Sequence, residues 1–285
     1  MSAPTVRRRR LGAKLRVLRG NLTLEDVAAK SSGFITTAKL SRLETARSAA
    51  KPRDIEKLLD VYSVDDTDLR SALLSLTREG ARRGWWQSYR AVLSPVYEDL
   101  ISLEADAASV RTWQMGVIPG LLQTAEYARE FMTSISMSAA IEEKIDALVE
   151  VRLARQAVLT SREKPLTLWA VIGESALRTR CTGEGVMHDQ LTRLHILSRR
   201  PNINIQILPA DAAPHVGQTG SFSLLGFGDH VDLDVVHIEG LTSALYVEDG
   251  EQVTAYRDAF ERLTAAALSV EASARRIAEI KEEHA

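Results

Sequence analysis

Thr36-Thr37-Ala38-Lys39-Leu40-Ser41-Arg42-Leu43-Glu44 opens on hydroxyls that can cap a helix and then places Leu40 and Leu43 on one side of it. The residues between them are small, polar or basic. Leu40 and Leu43, with Ile35 at the base, can lock such a helix to a bundle while the other side stays free to enter a polar groove. Upstream, Leu11, Leu15 and Leu18 fall at helical spacing and Gly20-Asn21 ends the run. Thr23 then caps a short helix that has Glu25 and Asp26 in its first turn, where carboxylates suit the helix dipole. Ser31-Ser32-Gly33 breaks it. Downstream, Ile55, Leu58, Leu59 and Tyr62 mark a fourth helix and Leu69, Leu73 and Leu76 a fifth. The first ~65–80 residues therefore read as five short helices.

Charge separates this end from the rest. Residues 1–84 carry 18 Lys and Arg against 10 Asp and Glu, and the other 18 basic residues face 28 acidic ones over residues 85–285. A basic end on an acidic body points to a polyanionic partner for the N-terminal end alone. Hydrophobic residues make up 45% and charged residues 26% of the 285, an ordinary globular mix with enough apolar material for a sizeable core. Cys181 is the single cysteine, so no internal disulfide forms and no Cys/His zinc spacing occurs. No apolar stretch approaches the ~18 residues of a membrane span, and no apolar core follows Arg7-Arg8-Arg9-Arg10 as a secretory signal would need. The expectation is a cytoplasmic, nucleoid-associated chain.

Leu24-Glu25-Asp26-Val27-Ala28 together with Lys39-Leu40-Ser41-Arg42-Leu43-Glu44 and Pro52 resembles the Xre-type, phage-repressor-like helix-turn-helix. That resemblance implies a third helix lying in the major groove of double-stranded DNA, with Thr37, Ala38 and Arg42 toward base edges. It places Thr36, Lys39, Thr45, Arg47 and Lys51 near phosphates, and Arg10, in the Arg7–Arg10 run, in a basic arm touching backbone or minor groove. Arg42 could instead form a surface salt bridge with Glu44 or Asp54. Glu44 is expected to hold the third helix through a backbone amide or a nearby arginine. Ala46 stands where such families usually carry Gly.

Arg82-Arg83-Gly84-Trp85-Trp86 marks the junction, giving a domain of residues 1–80 and another of residues 81–285, with one or both tryptophans docking head on body. Leu103-Glu104-Ala105-Asp106-Ala107, Trp113-Gln114, Ile118-Pro119-Gly120-Leu121-Leu122-Gln123-Thr124, Val171-Ile172-Gly173-Glu174-Ser175 and Pro201-Asn202-Ile203-Asn204-Ile205-Gln206-Ile207 resemble the C-terminal domain of actinomycete regulators of the WhiJ type, a domain of unknown function. The resemblance implies a small partner protein encoded by an adjacent gene, a homodimer reading two half-sites, and regulation of transcription in which the protein could also repress its own operon as an antitoxin does. The overall expectation is α+β: an all-α five-helix repressor-like head followed by a larger mixed α/β body.

Within the body, strands are expected over 166–172, 203–207, 221–227, 232–239 and 244–248, and helices around Leu100–Ala107, over 187–198 and over 252–268, with another over 270–281. The closing helices could pair across a dimer. Val235 and Val236 interrupt the alternation, so a bulge could lie there. His230, Asp232 and Asp234 would share a strand face, which could bind a metal; the preferred reading is a solvated face over Val231, Leu233 and Val235. His215 and Gly217, beside Pro214, are expected in a flexible rim. Arg152, Arg155, Glu174, Ser221, Ser223 and Glu248 could be assembled into a nucleotide-handling site, although nothing in their spacing enforces it. No Gly-rich phosphate loop, serine elbow or HExxH occurs. The expectation is a non-enzyme without cofactor or metal; the alternative is a small-molecule or nucleotide sensor, or an enzyme, bearing a DNA-binding head.

Overall fold

The computed structural model describes residues 6–77, 85–160, 163–228, 233–241 and 243–284. These belong to two units, Met1–Trp85 and Trp86–Ala285. The boundary expected at residues 80 and 81 falls outside the described residues.

In the first unit, α1 spans Val6–Arg19, α2 Leu24–Lys30, α3 Thr37–Glu44, α4 Pro52–Val61 and α5 Thr67–Leu76. Side chains fix four of these starts. Thr23 and Asp26 form a reciprocal capping box, Thr36 Oγ1 accepts the Lys39 amide, the Asp66 carboxylate accepts the Asp68 and Leu69 amides, and Pro52 occupies the opening turn of α4. The apolar stripes converge, burying Leu15, Val27, Ile35, Leu40, Leu43, Ile55, Leu58, Leu59 and Leu73. The Arg7–Arg10 run corrects the expectation of an arm: it lies within α1, and Arg10 is one of the buried residues of that helix. Arginine is a good helix former, so the run extends the helix upstream of Leu11.

The second unit is built on a six-stranded sheet of order β3-β2-β1-β4-β5-β6. The strands are β1 Ser109–Gln114, β2 Thr167–Gly173, β3 Ile203–Leu208, β4 Phe222–Gly226, β5 Val235–Glu239 and β6 Ala244–Val247. β1 pairs parallel to β2 and β2 parallel to β3, while β1–β4, β4–β5 and β5–β6 are antiparallel. Five of these strands match the expected ones to within a few residues. The sixth, β1, was not expected, yet it is the strand at which the parallel and antiparallel halves meet.

Around the sheet run α6 Pro95–Asp106, α7 Ala125–Ser134, α8 Ala139–Glu142, α9 Ile145–Arg155, α10 Glu174–Leu177, α11 Val186–Leu197, α12 Gly250–Ala266 and α13 Val270–Glu282. One sheet face, carrying Trp113, Val171, Phe222, Leu224 and Val236, packs against Val253, Phe260 and Leu263 of α12. Val235 and Val236 are both fully buried in regular register with Leu225 and Leu224. The two adjacent valines therefore mark a strand covered on both faces rather than a bulge.

The corner between α12 and α13 closes the β3 edge. Ser273 Oγ accepts the Ile207 amide at 2.9 Å, and the Leu268 amide donates to Ile207 O at 2.9 Å. These bonds occupy the outward backbone groups of Ile207 and so interrupt the edge as a template for another strand. The closing helix thus buries Ser273, Ile277 and Ile280 and contacts β3 and α11 of its own chain. Trp86 packs within the second unit beside Leu93, Ile101 and Val151.

The loop before β4 is exposed over much of its length, as a rim would be, but it is pinned to the core at Gly217. The Trp113 indole N–H donates to Gly217 O at 2.9 Å and the ring packs edge-on to His215 at 5.6 Å. A Cβ on Gly217 would lie 2.6 Å from the Trp113 ring, so only glycine fits.

Candidate nucleic-acid interface

Thr37, Ala38, Ser41, Arg42 and Thr45 recur at one helical period and share the side of α3 opposite Leu40 and Leu43. Thr36, Ala38, Ser41, Arg42, Thr45, Arg47 and Lys51 are exposed, and Thr37 and Lys39 are half-buried. The turn before α3 holds its shape through Ser31, whose buried hydroxyl accepts the Ile35 amide at 3.1 Å and lies 3.0 Å from Ala28 O, as donor. Ser32 and Gly33 adopt left-handed backbone, with φ of 54° and 76°.

Two ion pairs fix α3 within the head. Glu44, whose side chain is 7% exposed, takes both oxygens to Arg19: Nε donates at 2.7 Å and Nη2 at 3.1 Å. This forked geometry is the strong form of an arginine–carboxylate pair. Lys39 Nζ donates to Asp54 at 2.7 Å and lies over the Phe34 ring, which Arg53 also covers at 5.2 Å. Lys39 is therefore bound to α4, and a phosphate contact would have to compete with Asp54.

Because Glu44 and Asp54 are engaged elsewhere, the surface salt bridge weighed for Arg42 does not form. Among the described residues no ion pair or side-chain hydrogen bond holds Arg42, Arg47 or Lys51. Thr36 and Thr45 hydroxyls serve the helix ends, accepting the Lys39 amide and donating to Ser41 O respectively.

Gly12 was silent in the sequence but sets how close α1 and α3 come. A Cβ there would lie 2.6 Å from Leu43 O and 2.8 Å from Glu44 O. After α3, Ala46 is left-handed at φ 57°, the position where glycine was expected. The available signals were a glycine one residue past Leu11, inside the apolar stripe of α1, and the departure at Ala46.

In the body, four of the residues considered for nucleotide handling, Arg155, Glu174, Ser221 and Ser223, carry structural bonds. Arg155 forks onto Glu104 at 2.8 and 2.7 Å and also donates to Tyr97 Oη. Glu174 is 4% exposed and accepts from Arg178 and Arg276 at 2.9 Å each. Burial would raise its pKa, but those two guanidiniums hold it below the usual carboxylate range. Ser221 Oγ accepts the Met115 amide, and Ser223 Oγ pairs with Thr112 Oγ1 at 2.8 Å. His230 and Asp232 lie outside the described residues, and Asp234 accepts from Arg257 and from the Phe227 amide. Among the described residues no group of three or more His, Cys, Asp or Glu is placed to hold a metal. Among the described residues no helix is long and apolar enough to cross a membrane.

His237 of β5 is 7% exposed, faces Tyr246 of β6 at 5.0 Å between rings, and is pushed down to about 4 by burial.

Residues 10–73 match a family described as a helix-turn-helix domain. Residues 97–279, well over half of the chain, match a family described as a domain of unknown function, DUF5753. No curated protein and no solved structure matches the chain.

Proposed function

The chain belongs to the DUF5753 family, and we propose that it is a sequence-specific transcriptional regulator of the Xre type that reads DNA with α3. The observation that carries this reading is an exposed arginine, Arg42, free of ion pairs on the outward side of a helix whose inward side is fixed by Leu40, Leu43 and the Arg19–Glu44 fork. Arg42 donates bidentately to a guanine, Ala38 and Thr37 meet neighbouring base edges, and Arg47, Lys51 and Thr45 meet phosphates. Phosphate neutralisation by the basic head dominates affinity, so binding weakens steeply with salt.

The protein acts in the cytoplasm as a dimer on paired half-sites and has no enzymatic role. Its body, of the WhiJ type found in actinomycete regulators, receives a small protein encoded nearby, and that contact alters DNA occupancy in the manner of an autoregulating antitoxin. The test is a binding assay on genomic fragments recovered with the full-length protein. Arg42→Ala is expected to reduce discrimination between operator and unrelated duplex by about 1–3 kcal/mol, while Lys51→Ala weakens both alike and lowers the salt slope. Unchanged discrimination in Arg42→Ala would remove α3 from the groove.

A further inference from the structure

Several arginines of the body meet a carboxylate, among them buried Arg155 with Glu104, and half-buried Arg276 with Glu174 and Arg257 with Asp234. Arg152 of α9 and Arg193 of α11 do not. Arg152 Nη1 donates to Gln123 Oε1 at 2.7 Å, and Arg193 Nη2 donates to Gln156 Oε1. Both side-chain amides are anchored on backbone carbonyls: Gln156 Nε2 donates to Gln123 O at 2.8 Å and Gly120 O at 3.0 Å, and Gln123 Nε2 donates to Ile118 O at 2.7 Å. One continuous chain of bonds thus runs from Arg152 through Gln123 and Gln156 to Arg193. It carries two positive charges and only neutral acceptors.

The Nε atoms of both arginines are buried without an acceptor. A charged donor atom closed off from solvent and left without an acceptor costs free energy. The Arg193 pKa is lowered by burial and by the nearby Arg200 charge, as expected where positive charge is in excess. Arg200 lies in the turn that follows α11, three residues past its end.

We infer that Arg152 and Arg193 form an oxyanion site on the body, in which a carboxylate or phosphate accepts from the guanidiniums while the Gln123–Gln156 pair holds them in place. The positioning is made in advance, so the arginines lose little freedom on binding. The anion has two possible sources, a small free anion or an acidic segment of another protein.

The experiment is calorimetric titration of the full-length protein at fixed ionic strength with inorganic phosphate, with citrate and with hexaglutamate, and chloride as the control. Saturable binding is expected for at least one of the three, weakened about ten-fold or more by Arg152→Gln or Arg193→Gln and less by Arg193→Lys. Binding of phosphate or citrate identifies a free anion as the source; binding of hexaglutamate alone identifies an acidic segment. If the glutamine variants fail to fold, the Nε–H resonances of the wild-type arginines provide a second readout, with two of them expected to move on titration. No saturable binding of any probe, binding that both glutamine variants leave unchanged, or static Nε–H signals would overturn the inference.

Discussion

Glu44 ends the helix proposed to read DNA, but its carboxylate turns inward onto Arg19, 25 residues earlier. Removing the arginine leaves a nearly buried carboxylate without its partner. Arg19→Ala is therefore expected to destabilise the head by about 3 kcal/mol, measured by urea unfolding followed by circular dichroism. The opposite sign is expected at Ser63, which is exposed and held at φ 54° just after α4. Ser63→Gly relieves the left-handed backbone and should raise stability by about 1 kcal/mol in the same assay. The structural role of Glu44 was legible because it ends the helix beside Leu43, yet its partner was not, since sequence spacing does not relate a residue to one on a crossing helix. The same limit hid the buried Arg152–Gln123–Gln156–Arg193 chain, whose members come from separate segments.

Strand β1 shows how an element escapes a periodicity reading. Ser109-Val110-Arg111-Thr112-Trp113-Gln114 has the β-branched and aromatic residues favoured in strands. However, its apolar residues do not alternate: Val110, Thr112 and Trp113 are all buried, because the strand has neighbours on both edges and cover on both faces. The five other strands were found because isoleucine, leucine and valine fill them. Two close approaches between elements were invisible for a related reason, since glycine gives no periodic signal. Gly217→Ala would force a methyl into the Trp113 indole and Leu263, and is expected to destabilise the body by about 1–3 kcal/mol. The readout is thermal unfolding followed by tryptophan fluorescence.

All six histidines lie beyond residue 187, so titration near neutral pH belongs to the second unit alone. His237 is held neutral by burial, with its pKa pushed down to about 4 from 6.5. The unfolded chain takes up a proton near 6.5 that the native body refuses, so its contribution is complete above that pH and lost as pH falls toward 4. About 3 kcal/mol of body stability should disappear across this interval. Urea unfolding of the full chain from pH 7 to 5, above the range in which carboxylates titrate, with probes in each unit, is expected to show the body's midpoint falling more than that of the histidine-free head. His237→Gln should flatten the body's curve. The basic-to-acidic division of the chain was legible at this scale, because net charge survives without knowledge of any contact.

The division of labour along α3 has a consequence for rewriting its target. Leu40, Leu43 and Glu44 carry the attachment, whereas Thr37, Ala38, Ser41 and Arg42 contribute nothing to the buried core. The outward letters can therefore be randomised as a set without disturbing the seat on which they are printed. A library varied at those four positions, with Gly12 and Arg19 retained, should yield folded heads of altered operator preference.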